Sequence, residues 1–309
     1  MSGYHEPVLL HEVLATLRNG PGLYLDATLG DGGHAEAFLE AEPGVRLLGC
    51  DRDAEALASS RERLGRFGDR VMLAHAAFRE LPAVHRRHGG EPLSGALFDL
   101  GLSSRQSDDA RRGMSFMAEG PLDLRMDPSG GAPAAERLAC VDEHELAAVL
   151  REHGDVRAAA RIARTIVAEA RAGRLATTRA LAAAVAGAVG ARPHPRLLAQ
   201  VFQAIRIWVN DEAAELEAAL AWLPEAVRPG GVVVMLAYHS GEDRRIKRAL
   251  RAAPGVFPSR RRPPRLEERP PKGPWDVLTP KVVTPTHGEK VRNPRSRSAR
   301  LRAFRRNVT

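Results

Sequence analysis

Two aspartates and a glycine turn carry the most legible chemistry in this chain. A short apolar run, Leu23-Tyr-Leu-Asp26, is followed by Gly30, Gly32 and Gly33, and a helical pattern begins near His34. Strand, glycine turn and helix together form a nucleotide-cofactor loop. Glycine admits positive φ and lets the backbone pass close to a ligand. The start of the helix presents N–H groups that have no partner within the helix. A second apolar run, Val45-Arg-Leu-Leu-Gly-Cys50, ends in Asp51, where a carboxylate is placed to accept hydrogen bonds from ribose hydroxyls. Asp99 lies near the end of another run, Gly95-Ala-Leu-Phe-Asp-Leu100. A carboxylate there suits an amine of cofactor or substrate, held by charge-assisted hydrogen bonds. Gly30-Asp-Gly-Gly-His-Ala35 also fits the spacing G-x-G-x-x-A, so a nicotinamide or flavin enzyme stays open on these residues alone.

The elements that must position these residues alternate. After Asp51 comes a helical pattern over 52–64, a strand over 71–74 with Phe78 just past it, a helical pattern over 81–88 and a strand over 95–100. Such alternation predicts a parallel sheet with helices on both faces. Ligands of these sheets sit beyond the carboxyl ends of the strands, which is where 30–34, Asp51, Phe78 and Asp99 fall. From 134 to 189 the period is helical with no strand candidate, a long helical pattern runs from 197 to about 227, and 232–237 resumes the sheet. The expected organisation is an α/β domain over 1–105, an inserted helical substrate-recognition domain over 106–195, and the second part of the α/β domain over 196–309, ending in a basic arm. Segments 277–283 and 300–304 are expected to add late edge strands.

Composition sets the outer limits. The chain has 309 residues and a net charge of +8, but residues 244–309 hold 20 Lys/Arg against 4 Asp/Glu. The body is therefore acidic, and the basic arm, including Arg260, Arg261, Arg262 and Arg265, points to a polyanion, most simply nucleic acid. No apolar run approaches the ~20 residues of a membrane span. No secretory signal is visible at the start, and Cys50 and Cys140 lack metal-ligand spacing; both are expected to be reduced core residues of a cytoplasmic protein.

His5, His11 and His34 make no metal-binding pattern. Tyr238-His-Ser-Gly-Glu-Asp-Arg-Arg245 follows a strand, but the G-x-S-x-G elbow of a serine hydrolase is absent. The loop segments 106–116 and 120–127 hold Arg, Asp and Phe without strong helical period, which suits a substrate loop.

Taken together, the motifs resemble those of the bacterial RsmH (MraW) family of 16S rRNA cytosine-N4 methyltransferases. They are His5-Glu-Pro-Val-Leu-Leu, Gly30-Asp-Gly-Gly-His34, Asp51-Arg-Asp53, Asp99-Leu-Gly-Leu-Ser-Ser104, Arg112-Gly-Met-Ser-Phe116, Pro121-Leu-Asp-Leu-Arg-Met-Asp127, Phe202-Gln-Ala-Ile-Arg-Ile-Trp-Val-Asn210, His239-Ser-Gly-Glu-Asp-Arg244 and Asn293-Pro-Arg-Ser-Arg-Ser298. They occur in the family's order over nearly the whole chain. The resemblance implies a class I, Rossmann-like methyltransferase sheet with a helical insertion. It implies S-adenosylmethionine as cofactor and a cytidine of the 16S rRNA decoding centre, in the small ribosomal subunit, as target. It places the cofactor contacts at Gly32, Gly33, His34, Asp51, Phe78, Asp99 and Gln106. Asp99 is the first candidate for the acceptor facing the cytosine amine and His239 a weaker one for a nearby polar role. Monomer and homodimer both stay open. The chain departs from the family pattern at Met114, usually Phe, and at Gly241, usually Leu.

Overall fold

The computed structural model describes residues 7–190, 193–251 and 273–308. His5 and the arginine-rich run 260–265 lie outside these residues. The chain forms two compact units, Met1–Gly101 with Glu215–Thr309, and Leu102–Ala214.

In the first unit α1 (Leu10–Leu17) precedes β1 (Gly22–Asp26), α2 (Gly33–Ala41), β2 (Val45–Asp51), α3 (Ala54–Leu64), β3 (Val71–His75), α4 (Leu81–Arg87) and β4 (Leu93–Asp99). The chain then enters the helical unit with α5 (Ser104–Asp108), α6 (Ala134–Cys140), α7 (Glu143–Gly154), α8 (Ala159–Arg171), α9 (Thr178–Val189) and α10 (Pro195–Val209). It returns through α11 (Glu212–Ala226) to β5 (Val227–Ala237), α12 (Ser240–Arg251), β6 (Trp275–Val277), α13 (His287–Arg292) and β7 (Arg300–Arg306).

The sheet runs β3-β2-β1-β4-β5-β7-β6. β1 to β5 are parallel, whereas β7 runs antiparallel to both β5 and β6. Strands covered on both faces read as continuous apolar runs, and residues 232–237 of β5 and 93–98 of β4 are buried throughout. Alternate residues feed opposite faces. Leu23, Leu25, Leu48, Cys50 and Phe98 pack with Leu81, Leu220 and Ile246 of α4, α11 and α12. Tyr24, Leu47, Leu97 and Val234 pack with Val13, Phe38 and Leu57 of α1, α2 and α3. Gly95 is required by this packing, because a Cβ there would stand 2.8 Å from the ring of the fully buried Tyr24.

β7 is expected from sequence at an edge and is found inside the sheet. Its Arg302 is buried, with Nε 2.5 Å from Oδ1 of Asp243 in α12, and Lys247 Nζ lies 3.1 Å from Oδ2 of the same carboxylate. These donors hold the Asp243 carboxyl below the usual range despite its burial. The strand expected over 277–283 reduces to β6 at 275–277, with Val283 only bridging to Leu301. Pro280 has no N–H to give the ladder.

The helical unit has its own core, in which Leu146, Leu150, Ile162, Ile166, Val185 and Ile205 meet. It runs further than the expected 106–195, because the apolar face of α10 (Val201, Phe202, Ala204, Ile205) is part of that core. The single helix expected over 197–227 is broken at Asn210–Asp211. Asp211 takes a positive φ of 53°. The buried Asn210 side chain donates to the carbonyls of Leu124 and Arg206 and accepts from the N–H of Met126. That amide stops the helix by tying its end to loop 121–126. Met114, the departure noted above, is buried in this core and replaces one apolar side chain by another. Cys50 is buried as expected, but Cys140, at the end of α6, is exposed; the apolar neighbours of Cys140 in sequence face the core while its own position on the helix does not.

Candidate active site

The sheet reverses direction of growth between β1 and β4, and the carboxyl ends of the strands beside that point form the binding crevice of open α/β sheets. Asp26, Asp51 and Asp99 are the last residues of β1, β2 and β4. Strand register keeps them together: Asp26 is paired with Gly49 on one side and Leu97 on the other.

The glycine loop is fastened to this rim. Gly30 and Gly32 have φ of +54° and +78°, and Gly32 caps α2. The Gly30 N–H donates to Asp51 Oδ2 at 2.8 Å, and the Asp53 N–H donates to Oδ1 at 2.8 Å. Ser60 Oγ of α3 donates to the Gly30 carbonyl. The Asp51 carboxylate thus holds the loop with one lone pair on each oxygen and keeps others for a ligand. Burial pushes its pKa up to about 6, although both N–H bonds pull the other way.

Asp99 sits opposite. Tyr238, the residue after β5, donates from Oη to Asp99 Oδ1 at 2.8 Å. His34 Nδ1 is 3.8 Å from Asp99 Oδ2. His34 Nε2 is 3.0 Å from the Val8 carbonyl, which only accepts, so Nε2 carries a proton. The Asp99 N–H donates to Thr28 Oγ1 at 2.6 Å. Burial raises the Asp99 carboxyl above its ordinary range, the charge of His34 and the Tyr238 bond oppose that, and Glu242 adds to it.

Asp26 is the most buried of the three, 3% exposed. It accepts from the Thr28 N–H at 3.2 Å. Burial, reinforced by Asp99 and Asp51, lifts its pKa from 3.8 to about 7. A carboxyl whose folded pKa exceeds its unfolded one stabilises the fold fully below the unfolded value and loses that contribution as pH rises through the folded value. Asp26→Asn should therefore gain thermal stability relative to the parent between pH 4 and pH 8. The shift corresponds to about 4 kcal/mol over the window. Melting temperatures that stay parallel across that range would contradict it.

The remaining sequence candidates divide. Phe78 follows β3, partly exposed, with its ring edge-on to Phe98 at 5.4 Å, and so adds an apolar wall at the strand ends. His239 caps α12: its Nδ1 accepts from the N–H of Gly241 at 3.2 Å and of Glu242 at 3.4 Å, and Nε2 is 3.2 Å from Glu242 Oε1. Glu242 Oε2 in turn accepts from the N–H of Tyr238 at 2.8 Å. Both ring nitrogens of His239 face groups of its own helix start, so its evident work is to set the chain that carries Tyr238. Gln106 belongs to the helical unit, where it is buried and closes a capping box with Ser103 at the start of α5. Sequence reasoning passed over Asp26, Thr28 and Tyr238. Tyr238 lies directly after a buried strand, next to the histidine that was singled out, but that place alone does not mark it as a site residue.

The order of the sheet differs from that of the dinucleotide-binding sheets whose glycine spacing the loop shares. Dinucleotide-binding sheets run 3-2-1-4-5-6. Here an antiparallel seventh strand is inserted between the fifth and the sixth. The MraW methylase family model matches residues 2–307. The chain belongs to the MraW methylase family. Relatives of this methylase carry the name ribosomal RNA small subunit methyltransferase H. That of Sorangium cellulosum is 45% identical, with 98% of this chain and 90% of the relative covered. That of Methylobacterium nodulans is 42% identical, with 98% and 91% covered. That of Thermomicrobium roseum is 44% identical, with 99% and 94% covered. The methylase has no helix among its described residues that is long and apolar enough to cross a membrane.

Proposed function

We propose that this methylase transfers a methyl group from S-adenosylmethionine to N4 of a cytidine in the decoding centre of 16S rRNA, acting on the small ribosomal subunit in the cytoplasm. The observation that carries this reading is the pair of carboxylates, Asp51 and Asp99, held on either side of the glycine-capped start of α2 in a methylase whose relatives are named for small-subunit rRNA.

The donor set fits the cofactor. Asp51 offers acceptors for two ribose hydroxyls, and the N–H groups of Gly33 and His34 at the helix start offer donors for polar atoms. Phe78 offers an apolar surface, and Gln106 is carried over from the family motif as a further contact. When bound, S-adenosylmethionine supplies a methyl group on a positively charged sulfur. The chain's own residues must then orient the nucleophile, and positioning dominates the rate. The N4 lone pair of cytosine is delocalised into its ring, so the amine needs an acceptor that draws on its N–H. Asp99, fixed by Tyr238 and facing His34, is that acceptor. The base has to leave its stack to reach the crevice, which favours an unstacked, single-stranded target.

Sequence-independent affinity comes from the basic C-terminal region. Residues 279–308 hold nine Lys/Arg and one acid, Glu289, and Arg292, Arg295, Arg297 and Arg300 are exposed. Arg260, Arg261, Arg262 and Arg265 extend the same charge along the sequence.

Methyl transfer to assembled small subunits and to naked rRNA, with nucleoside analysis of the product, tests the reading. N4-methylcytidine at one decoding-centre position is expected; methylation of another base or atom would overturn it. Tyr238→Phe removes the bond to Asp99 without changing shape. A hydrogen bond to a charged group contributes about 1.5–3 kcal/mol, so kcat should fall about tenfold or more while cofactor affinity holds. An unchanged kcat would separate Tyr238 from the reaction.

A further inference from the structure

The arginines of the helical unit are distributed unevenly. Residues 157–179 contain six arginines and one acid, Glu169, whereas the rest of 102–214 has more acids than bases. Three of the six are engaged: Arg174 pairs with Glu169, Arg179 with Glu119, and Arg171 donates to the Val141 carbonyl. The other three, Arg157, Arg161 and Arg164, are exposed, and among the described residues their side chains make no hydrogen bond or ion pair.

Helical geometry puts Arg161 and Arg164 on one face. Ile162, Ala163, Ile166, Val167 and Ala170 of α8 are buried in the core of the unit. The opposite side carries Ala160, Arg161, Arg164, Ala168 and Arg171, all exposed. Residues three and four apart are neighbours on a helix surface, with a rise of about 1.5 Å per residue. The outward face of α8 therefore shows guanidinium groups flanked by alanine methyls and the half-buried Thr165, with no acid among its exposed residues. Arg157 precedes it in the turn after α7.

This is not the usual composition of a solvated helix. The outward residues of α3 and α7 mix signs, with Glu55, Arg61 and Glu62 exposed on one and Glu145, Arg151 and Glu152 on the other. Like charges three apart on a helix cost stability rather than add to it. All three groups are arginine, whose planar fork matches a phosphate with two parallel N–H bonds, whereas lysine acts as a point charge. The alanines between them keep the forks accessible to a broad polyanion.

We infer that Arg157, Arg161 and Arg164 form a phosphate-contacting surface by which the helical unit grips the backbone of the substrate RNA. The inference rests on the reading of the protein as an RNA methylase and deepens it, adding a second electropositive region to the C-terminal one. It assigns these residues to affinity and register and leaves the chemistry to the sheet unit.

The test compares the full-length protein with Arg157→Gln/Arg161→Gln/Arg164→Gln and with the corresponding triple lysine variant. Binding to small-subunit rRNA is measured between low and moderate salt, and methyl transfer is measured alongside. Each phosphate contact on a single strand contributes about 0.7 to the slope of log K against log salt. The glutamine variant should lose about two units of slope and bind RNA at least roughly tenfold more weakly at moderate salt. KM for RNA should rise with kcat nearly unchanged, and binding of S-adenosylmethionine should stay at the parental value. The lysine variant should keep most of the slope. Parental slope and affinity in the glutamine variant would overturn the inference, as would a lysine variant that loses slope equally, since neutralised phosphate would then not be the cause. A parent that binds RNA with the expected slope yet methylates no cytidine would instead overturn the proposed function while leaving this surface standing. Circular dichroism and melting temperature confirm that each variant is folded.

Discussion

Asp99→Asn is expected to reduce methyl transfer by roughly 10²–10⁴-fold at saturating cofactor, the range associated with a positioned acid or base. The substitution keeps the size of the side chain and leaves one oxygen to receive the Tyr238 hydroxyl. It replaces the oxygen beside His34 with an NH₂ group, which would present a donor to an amine that is itself a donor. The charge that opposes the His34 imidazole disappears as well. The pH profile supplies a second readout. Burial holds the Asp99 carboxyl above its ordinary range, and only the ionised form can draw a proton from the amine. The acid limb of kcat should therefore lie higher than for an exposed aspartate and should vanish in Asp99→Asn. Calorimetric cofactor affinity, measured separately, divides a loss of binding from a loss of turnover. Near-parental kcat at saturation would remove Asp99 from the reaction.

The parts of the molecule that sequence reasoning reaches are those whose periodicity and termini leave a local mark. β1, β2, β4 and β5 are buried on both sides, so each reads as an apolar run, and each of the first three ends in the aspartate that the sheet then brings to its rim. Strand alternation with helices also fixes their parallel direction. β7 was misplaced because lateral position in a sheet is not a local property: an alternation such as Arg300-Leu-Arg-Ala-Phe suits an edge. Arg302 is accommodated inside only because Asp243, some sixty residues earlier, meets it. The break at Asn210 escaped for the same reason, since its stabilising partners, Leu124 and Met126, are distant in sequence. At the site, Asp51 and Asp99 were legible from spacing. Tyr238 was not, because a tyrosine after a strand carries no pattern until the register of β4 and β5, Asp99 against Leu236, sets its hydroxyl beside a carboxylate. His239 was legible as a residue but not as a helix cap, because a histidine is not a customary residue at that position.

Asp51→Ala should weaken S-adenosylmethionine binding by at least roughly tenfold, on the scale of about 1.5–3 kcal/mol for each hydrogen bond to a charged group. Two contributions enter, and they can be told apart. The carboxylate accepts the N–H groups of Gly30 and Asp53, so its removal also loosens the loop that starts α2. A cofactor analogue lacking the ribose hydroxyls isolates the direct part. The analogue should bind the parent more weakly than the full cofactor does, and Asp51→Ala should make little distinction between the two, so that the double cycle leaves a coupling of about 1.5 kcal/mol or more. The loop contribution appears instead as a loss of affinity common to both ligands. The Asp51 carboxyl titrates at about 6, and only its ionised form accepts from two hydroxyls while holding both N–H groups. Cofactor affinity of the parent should therefore decline below pH 6, and Asp51→Ala should flatten that decline. A folded Asp51→Ala protein with parental affinity and an unaltered pH dependence would take Asp51 out of the cofactor site and leave it the single task of fastening the glycine loop to the end of β2.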